Sequence, residues 1–149
     1  MDDEGCDLTI GEAAERTGLS VHALRFYERE GLLIGPLRRS ASGHRLYSES
    51  DLEWLSTCTR FRASGMPVAT IRRFTELVRE GSGNEDERRA LLREHEHRLL
   101  ARISELNDCL DLITAKLAAY DAHLVGGTAA DLWTPSAPVE ASQMDAVGA

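Results

Sequence analysis

The sequence predicts a mainly α-helical chain: paired short helices, a small arginine-bearing hairpin, and a long coiled-coil helix. Three patterns carry that expectation. Two capped helical segments sit either side of a glycine turn at Gly18. A second glycine turn, "SASG", separates two arginine-bearing runs, "PLRR" and "HRLY". Far down the chain, Leu99, Ile103, Leu106, Leu110, Ile113, Leu117 and Tyr120 recur at alternating spacings of four and three.

Taken in order, Thr9 is an N-cap, and Glu12 three positions on completes a capping box. Ile10, Ala13 and Ala14 give the first helix its inner face, and Gly18 suits a left-handed stop. Ser20 caps a second helix over residues 21–30, closed by Gly31. In the hairpin, Arg45 and Tyr47 share one face, and His44 and Leu46 the other. Ser48, with Asp51 at its third helical position, starts a third helix, and Gly65 ends it. Pro67 opens a fourth helix striped by Ile71, Phe74 and Val78. Arg72 and Arg73 read as its solvated face. Asn84 is a candidate cap for the long helix, residues 85–121, which at ~1.5 Å per residue spans roughly 55 Å. Its heptad seam must be buried, and little chain remains to cover it. A second copy of the protein is the expected cover, making a homodimer.

The organisation expected is therefore an acidic N-terminal tail (1–7), a compact helical and hairpin module (8–80), a linker (81–84), the coiled-coil dimerisation helix (85–121) and a flexible tail (122–149) containing Trp133. The formal net charge of −8 argues against nucleic acid as a partner only if charge is averaged. Between Arg16 and Arg73 there are ten arginines against five acids, whereas residues 81–149 hold six basic groups against twelve acids. A basic block between acidic ends is a footprint for phosphate. Lys116 is the only lysine, and arginine forks suit phosphate and guanine edges. Three scattered cysteines, Cys6, Cys58 and Cys109, make neither a disulfide framework nor a zinc module. With no secretory pattern and no bilayer-length apolar run, the expected location is the cytoplasm, with no membrane partner. No nucleophilic triad, paired carboxylates or phosphate loop points to an enzyme.

The stretch "LTIGEAAERTGLSVHALRFYEREGLL…RRSASGHRLYSESDLEWL" resembles the MerR family of bacterial transcription regulators. The resemblance covers residues 8–81 closely and the long helix more loosely. It implies a winged helix-turn-helix domain with the hairpin as its wing, followed by an antiparallel coiled coil with a partner copy. It further implies binding to double-stranded promoter DNA alongside RNA polymerase. Such regulators bend and untwist an overlong spacer between the two polymerase-recognition elements.

On this reading the second helix enters the major groove with Ser20, Val21 and His22 near base edges. Arg25 and Tyr27 match family phosphate contacts. Arg38, Arg39 and Arg45, with Tyr47 beside them, place the wing on the backbone, and Arg16 and Arg62 are further phosphate candidates. Leu24 and Phe26 are core. Glu28 is expected to hold an arginine in place.

The signal is less legible. Metal-sensing relatives place cysteines at the start of the long helix and in the loop after it; residues 81–90 and 121–149 have none. His95 and His97 point about 200° apart on a helix and cannot share a metal. No metal or other cofactor is expected. The length resembles the short thiol- or aldehyde-responsive branch. There the resemblance puts the reactive cysteine in the third helix, at the position of Arg60, two residues past Cys58. Cys58 also lies on an apolar stripe, where cysteine is a small hydrophobe. Cys109, at a g position beside the seam, is the other candidate thiol. The alternatives are a coiled-coil protein-interaction module and a repressor that needs no small molecule.

Overall fold

The computed structural model describes residues 7–126. Elements run β1 (Leu8–Thr9), α1 (Ile10–Thr17), α2 (Val21–Arg29), β2 (Arg38–Arg39), β3 (Arg45–Tyr47), α3 (Glu49–Ala63), α4 (Val68–Glu80) and α5 (Glu85–Gly126). The acidic residues ahead of Asp7, with Cys6, and the tail beyond Gly126, with Trp133, lie outside the described residues. The chain divides into two compact units between Arg102 and Ile103. The first part of α5 therefore belongs to the N-terminal unit, and no unit boundary falls at the expected linker.

Local chemistry sets the helix starts. At α1, Thr9 Oγ1 accepts from the Glu12 N–H at 3.3 Å, and the Glu12 carboxylate accepts from the Thr9 N–H at 2.8 Å. That backbone bond holds the Glu12 carboxyl below its ordinary value. Ser48 and Asp51 repeat the arrangement at α3, at 3.2 and 2.8 Å. Ser20 Oγ caps α2 through the Ala23 N–H at 3.0 Å. Pro67 stands at the N-cap of α4 and gives it no side-chain bond. Asn84 departs from expectation: its side-chain N–H donates to the Leu77 carbonyl at 2.8 Å, so its side chain does not cap α5.

Helix α2 ends at Gly31, where φ is 70°. The Gly31 N–H reaches the Glu28 carbonyl and the Leu32 N–H the Tyr27 carbonyl, closing the last turn as a left-handed cap. The sheet holds one strand more than the hairpin pattern suggested. Its order is β1-β3-β2, all antiparallel, with Leu8 opposite Tyr47 and Arg39 opposite Arg45. Two-residue β1 has no alternation long enough to be legible.

The core of the N-terminal unit gathers Ala13, Leu24, Leu32, Leu55, Cys58 and Ile71, with Tyr27 and Tyr47. Trp54 stacks on Phe74 with ring centres 6.2 Å apart, and Phe61 meets the same ring edge-on.

The segment leaving α2 is held from outside. Arg72 Nε donates to the Glu30 carbonyl at 2.8 Å, and Trp54 Nε1 to the Leu32 carbonyl at 2.7 Å. Arg79 donates to the Ile34 carbonyl at 2.7 Å, to the Leu33 carbonyl, and more distantly to Gly31 at 3.4 Å. Arg72 is thus a cap on α2, contrary to the solvated face expected for it, and its terminal nitrogen also holds the Glu30 carboxylate at 2.6 Å. Arg73 is likewise engaged, reaching Glu87 on α5 at 2.6 Å.

In the second unit α5 continues to Gly126, past the expected end at residue 121. Ile103, Leu106, Leu110, Ile113, Leu117 and Tyr120 are all exposed on it.

Because one guanidinium serves three carbonyls, Arg79→Met should lower unfolding stability by about 1–3 kcal/mol. Urea denaturation at neutral pH measures this, and an unchanged midpoint would show that the carbonyls find other donors.

Candidate nucleic-acid interface

Helix α2 has two faces. Leu24 and Tyr27 are buried, whereas His22, Arg25 and Arg29 are exposed. The exposed three recur at spacings of three and four, so they share a side of the helix. Arg25 forms no ion pair with another described residue. Ser20 is exposed at the start of the helix and spends its hydroxyl on the cap; Val21 is half-buried. Phe26 lies under two guanidinium groups, Arg29 at 5.8 Å and Arg62 of α3 at 5.5 Å from the ring centre. Arg62 is therefore seated against α2 by an aromatic face.

The wing arginines are all engaged. Arg38 pairs with Asp7. Arg39 donates to the Glu28 carboxylate at 3.3 Å and to the Gly43 carbonyl at 3.1 Å. Arg45 Nε donates to the other oxygen of the same carboxylate. Glu28, on α2, so holds two wing arginines where one was expected. Arg16 makes a two-pronged pair with Glu49 on α3, at 2.5 and 2.8 Å. Sequence spacing offers no signal for any of these long-range partners.

Both candidate tyrosines have rings buried in the core. Tyr27 is 6% exposed and packs edge-on against Phe26. Tyr47 is fully buried, and its hydroxyl finds no hydrogen-bond partner among the described residues. Burial raises its phenol pKa, and nearby Glu28 adds to the rise. Both rings serve the core, because each lies on the inward face of its own short element.

Comparison with known proteins fits this geometry. The family described as "MerR HTH family regulatory protein" matches residues 8–78. An HTH-type transcriptional regulator of Haemophilus influenzae is 35% identical over 130 residues, covering 87% of this chain and 96% of that protein. The chain belongs to the MerR family. Two crystal structures of MerR-family proteins are similar over most of their length. One, from Listeria monocytogenes, has a TM-score of 0.76 at 33% identity, covering 80% of this chain and 90% of that one. The other is HiNmlR, described as a MerR family regulator lacking the sensor domain and bound to promoter DNA. Its TM-score is 0.71 at 36% identity, covering 81% of this chain and 95% of that one. This chain is accordingly a DNA-binding transcriptional regulator of that family, and no enzyme.

For this MerR-family regulator the candidate thiols separate cleanly. Cys58 is fully buried in the core, and burial pushes its thiol up to about 11 from an ordinary 9.0. Its Sγ lies 3.7 Å from the Leu32 carbonyl. A thiol that stays protonated and covered is a poor nucleophile, so in this conformation Cys58 serves the core. Cys109 is exposed on α5. His95 is tied to Ser64 at 2.7 Å and has no metal-binding companions; among the described residues no group of three or more His, Cys, Asp or Glu could hold a metal ion. No helix among them is long and apolar enough to cross a membrane.

The raised Cys58 thiol has a stability consequence. The folded state keeps a proton that the unfolded chain begins to lose near 9, so this contribution is complete below that pH and is lost as pH rises toward 11. Cys58→Val should flatten the loss of stability over that window relative to the parent, measured by urea midpoints at successive pH values. Parallel curves would contradict a buried, protonated thiol.

Proposed function

We propose that this regulator binds a pseudo-palindromic promoter site as a homodimer and distorts the DNA between the polymerase-recognition elements. The observation that carries the reading is the open heptad seam of α5. Six exposed apolar residues from Ile103 to Tyr120, continuing the phase of half-buried Leu99, demand a cover, and a second copy carries the matching stripe. Two copies related by a two-fold axis present two α2 helices and two wings, which is the symmetry of a pseudo-palindrome. The MerR-family relative bound to promoter DNA supports the same partner for this chain.

In this reading residues 8–80 are the winged DNA-binding domain and 85–121 the dimerisation helix, with RNA polymerase as neighbour on the promoter and the cytoplasm as compartment. Ser20, Val21 and His22 approach base edges. Arg25, Arg38, Arg39, Arg45, Arg16 and Arg62 meet phosphate, with Tyr27 and Tyr47 acting beneath them as supports. Response to electrophiles or oxidants runs through Cys109, whose thiol is accessible beside the seam.

Nuclease footprinting on DNA upstream of the protein's own gene tests this. One two-fold protected site with a hypersensitive centre is expected. Arg25→Ala should weaken binding about tenfold or more, across sequences rather than at one base. Aldehyde treatment should change the footprint of the parent and leave Cys109→Ser unaffected. Absence of any protected site would overturn the reading.

A further inference from the structure

We infer that Glu28 is a specificity-determining positioning residue. By holding Arg39 and Arg45 in fixed orientations against α2, it converts two general phosphate attractors into geometric gauges of the duplex. The inference rests on the proposed contact between the wing and the DNA backbone.

Glu28 stands one turn beyond Leu24 on α2, partly buried, with one carboxylate oxygen facing each arginine. Arg39 and Arg45 are paired across β2 and β3, so one carboxylate spans both strands of the wing. The bond to Arg45 engages Nε. The two terminal nitrogens of that guanidinium are left without a hydrogen bond among the described residues, and four of its five N–H groups stay available in a fixed plane. Arg39 is held at two points, by Glu28 and by the Gly43 carbonyl, which fixes its fork as well. Arg45, held by its base and open at its tip, is pre-organised for one phosphate position, and Arg39, with one bond on each terminal nitrogen, keeps its remaining N–H groups in a fixed plane. A mobile arginine follows any phosphate.

Placing an acid on a phosphate-binding surface costs attraction. Electrostatics alone therefore predicts that Glu28→Gln tightens binding to every duplex. Positioning predicts the opposite sign for the cognate site only. The two arginines lose their shared anchor, gain freedom that binding must then remove, and no longer agree with α2 about where the backbone lies.

The test compares affinity for two duplexes at one fixed salt concentration, by fluorescence anisotropy. One duplex is the protein's own upstream sequence, and the other is a scrambled duplex of equal length and composition. Glu15→Gln, an exposed acid on α1, controls for net charge. Glu28→Asp keeps the charge but retracts the carboxylate by one methylene, out of reach of both arginines together, and it carries the same comparison where Glu28→Gln does not fold. The expected result is that both Glu28 variants lower the ratio of cognate to scrambled affinity by about tenfold, a loss comparable to one mismatched base pair, while Glu15→Gln leaves the ratio unchanged. A ratio unchanged in Glu28→Asp, or Glu28→Gln matching Glu15→Gln on both duplexes, overturns the inference alone. A parent protein without preference for its upstream DNA overturns the functional reading along with it.

Discussion

Residues 30–34 lie between a helix that has ended and a strand that has not begun, so their carbonyls cannot be satisfied by a regular ladder. All five are met by side chains of α3 and α4: Arg72, Arg79, Trp54 and, weakly, Cys58. A polar backbone run in a half-buried setting is costly unless every acceptor finds a donor. Satisfying it this way has a geometric result. The departure of the chain from α2 is fixed to α3 and α4, so the end of α2 is tied to the core helices. Glu28 ties α2 to the wing by reaching Arg39 and Arg45.

The N-terminal unit holds the arginines of an acidic chain. The positive charge is concentrated between residues 16 and 73, and much of it is neutralised internally by Asp7, Glu28, Glu30 and Glu49. Exposed ion pairs of this sort contribute little to stability. Their effect is to set where each guanidinium points. Arg25 and its neighbour His22 stand apart from this network on the open face of α2, which suits groups that meet a ligand directly. Phe26 serves a related purpose, its ring lying under the guanidinium groups of Arg62 and Arg29.

What could be read from the sequence was what neighbours in sequence decide. The capping boxes at Thr9 and Ser48, the stops at Gly18 and Gly31, and the helical run of α5 all depend on residues within one or two turns, and they stand in the structure. Arg72, Arg79 and the double engagement of Glu28 depend on partners 11 to 48 positions away, and no local pattern announces them. Tyr27 and Tyr47 were harder still. The family resemblance marked Tyr27 for phosphate and placed Tyr47 beside the wing arginines, and only the assembled sheet and helices show that each ring is enclosed. Strand β1 was invisible for the same reason, since it exists only because β3 lies beside it.

The seam on α5 and the arginines of the N-terminal unit lead to one claim, that two copies grip one duplex through phosphate contacts. The dependence of binding on salt tests it most directly. With Arg25, Arg39 and Arg45 alone engaged in each of two copies, the logarithm of the binding constant for the upstream DNA should fall against the logarithm of salt concentration with a slope of about −5, and the slope steepens toward about −11 as Arg16, Arg38 and Arg62 join them. A slope near zero, with binding intact, would contradict a phosphate-gripping dimer.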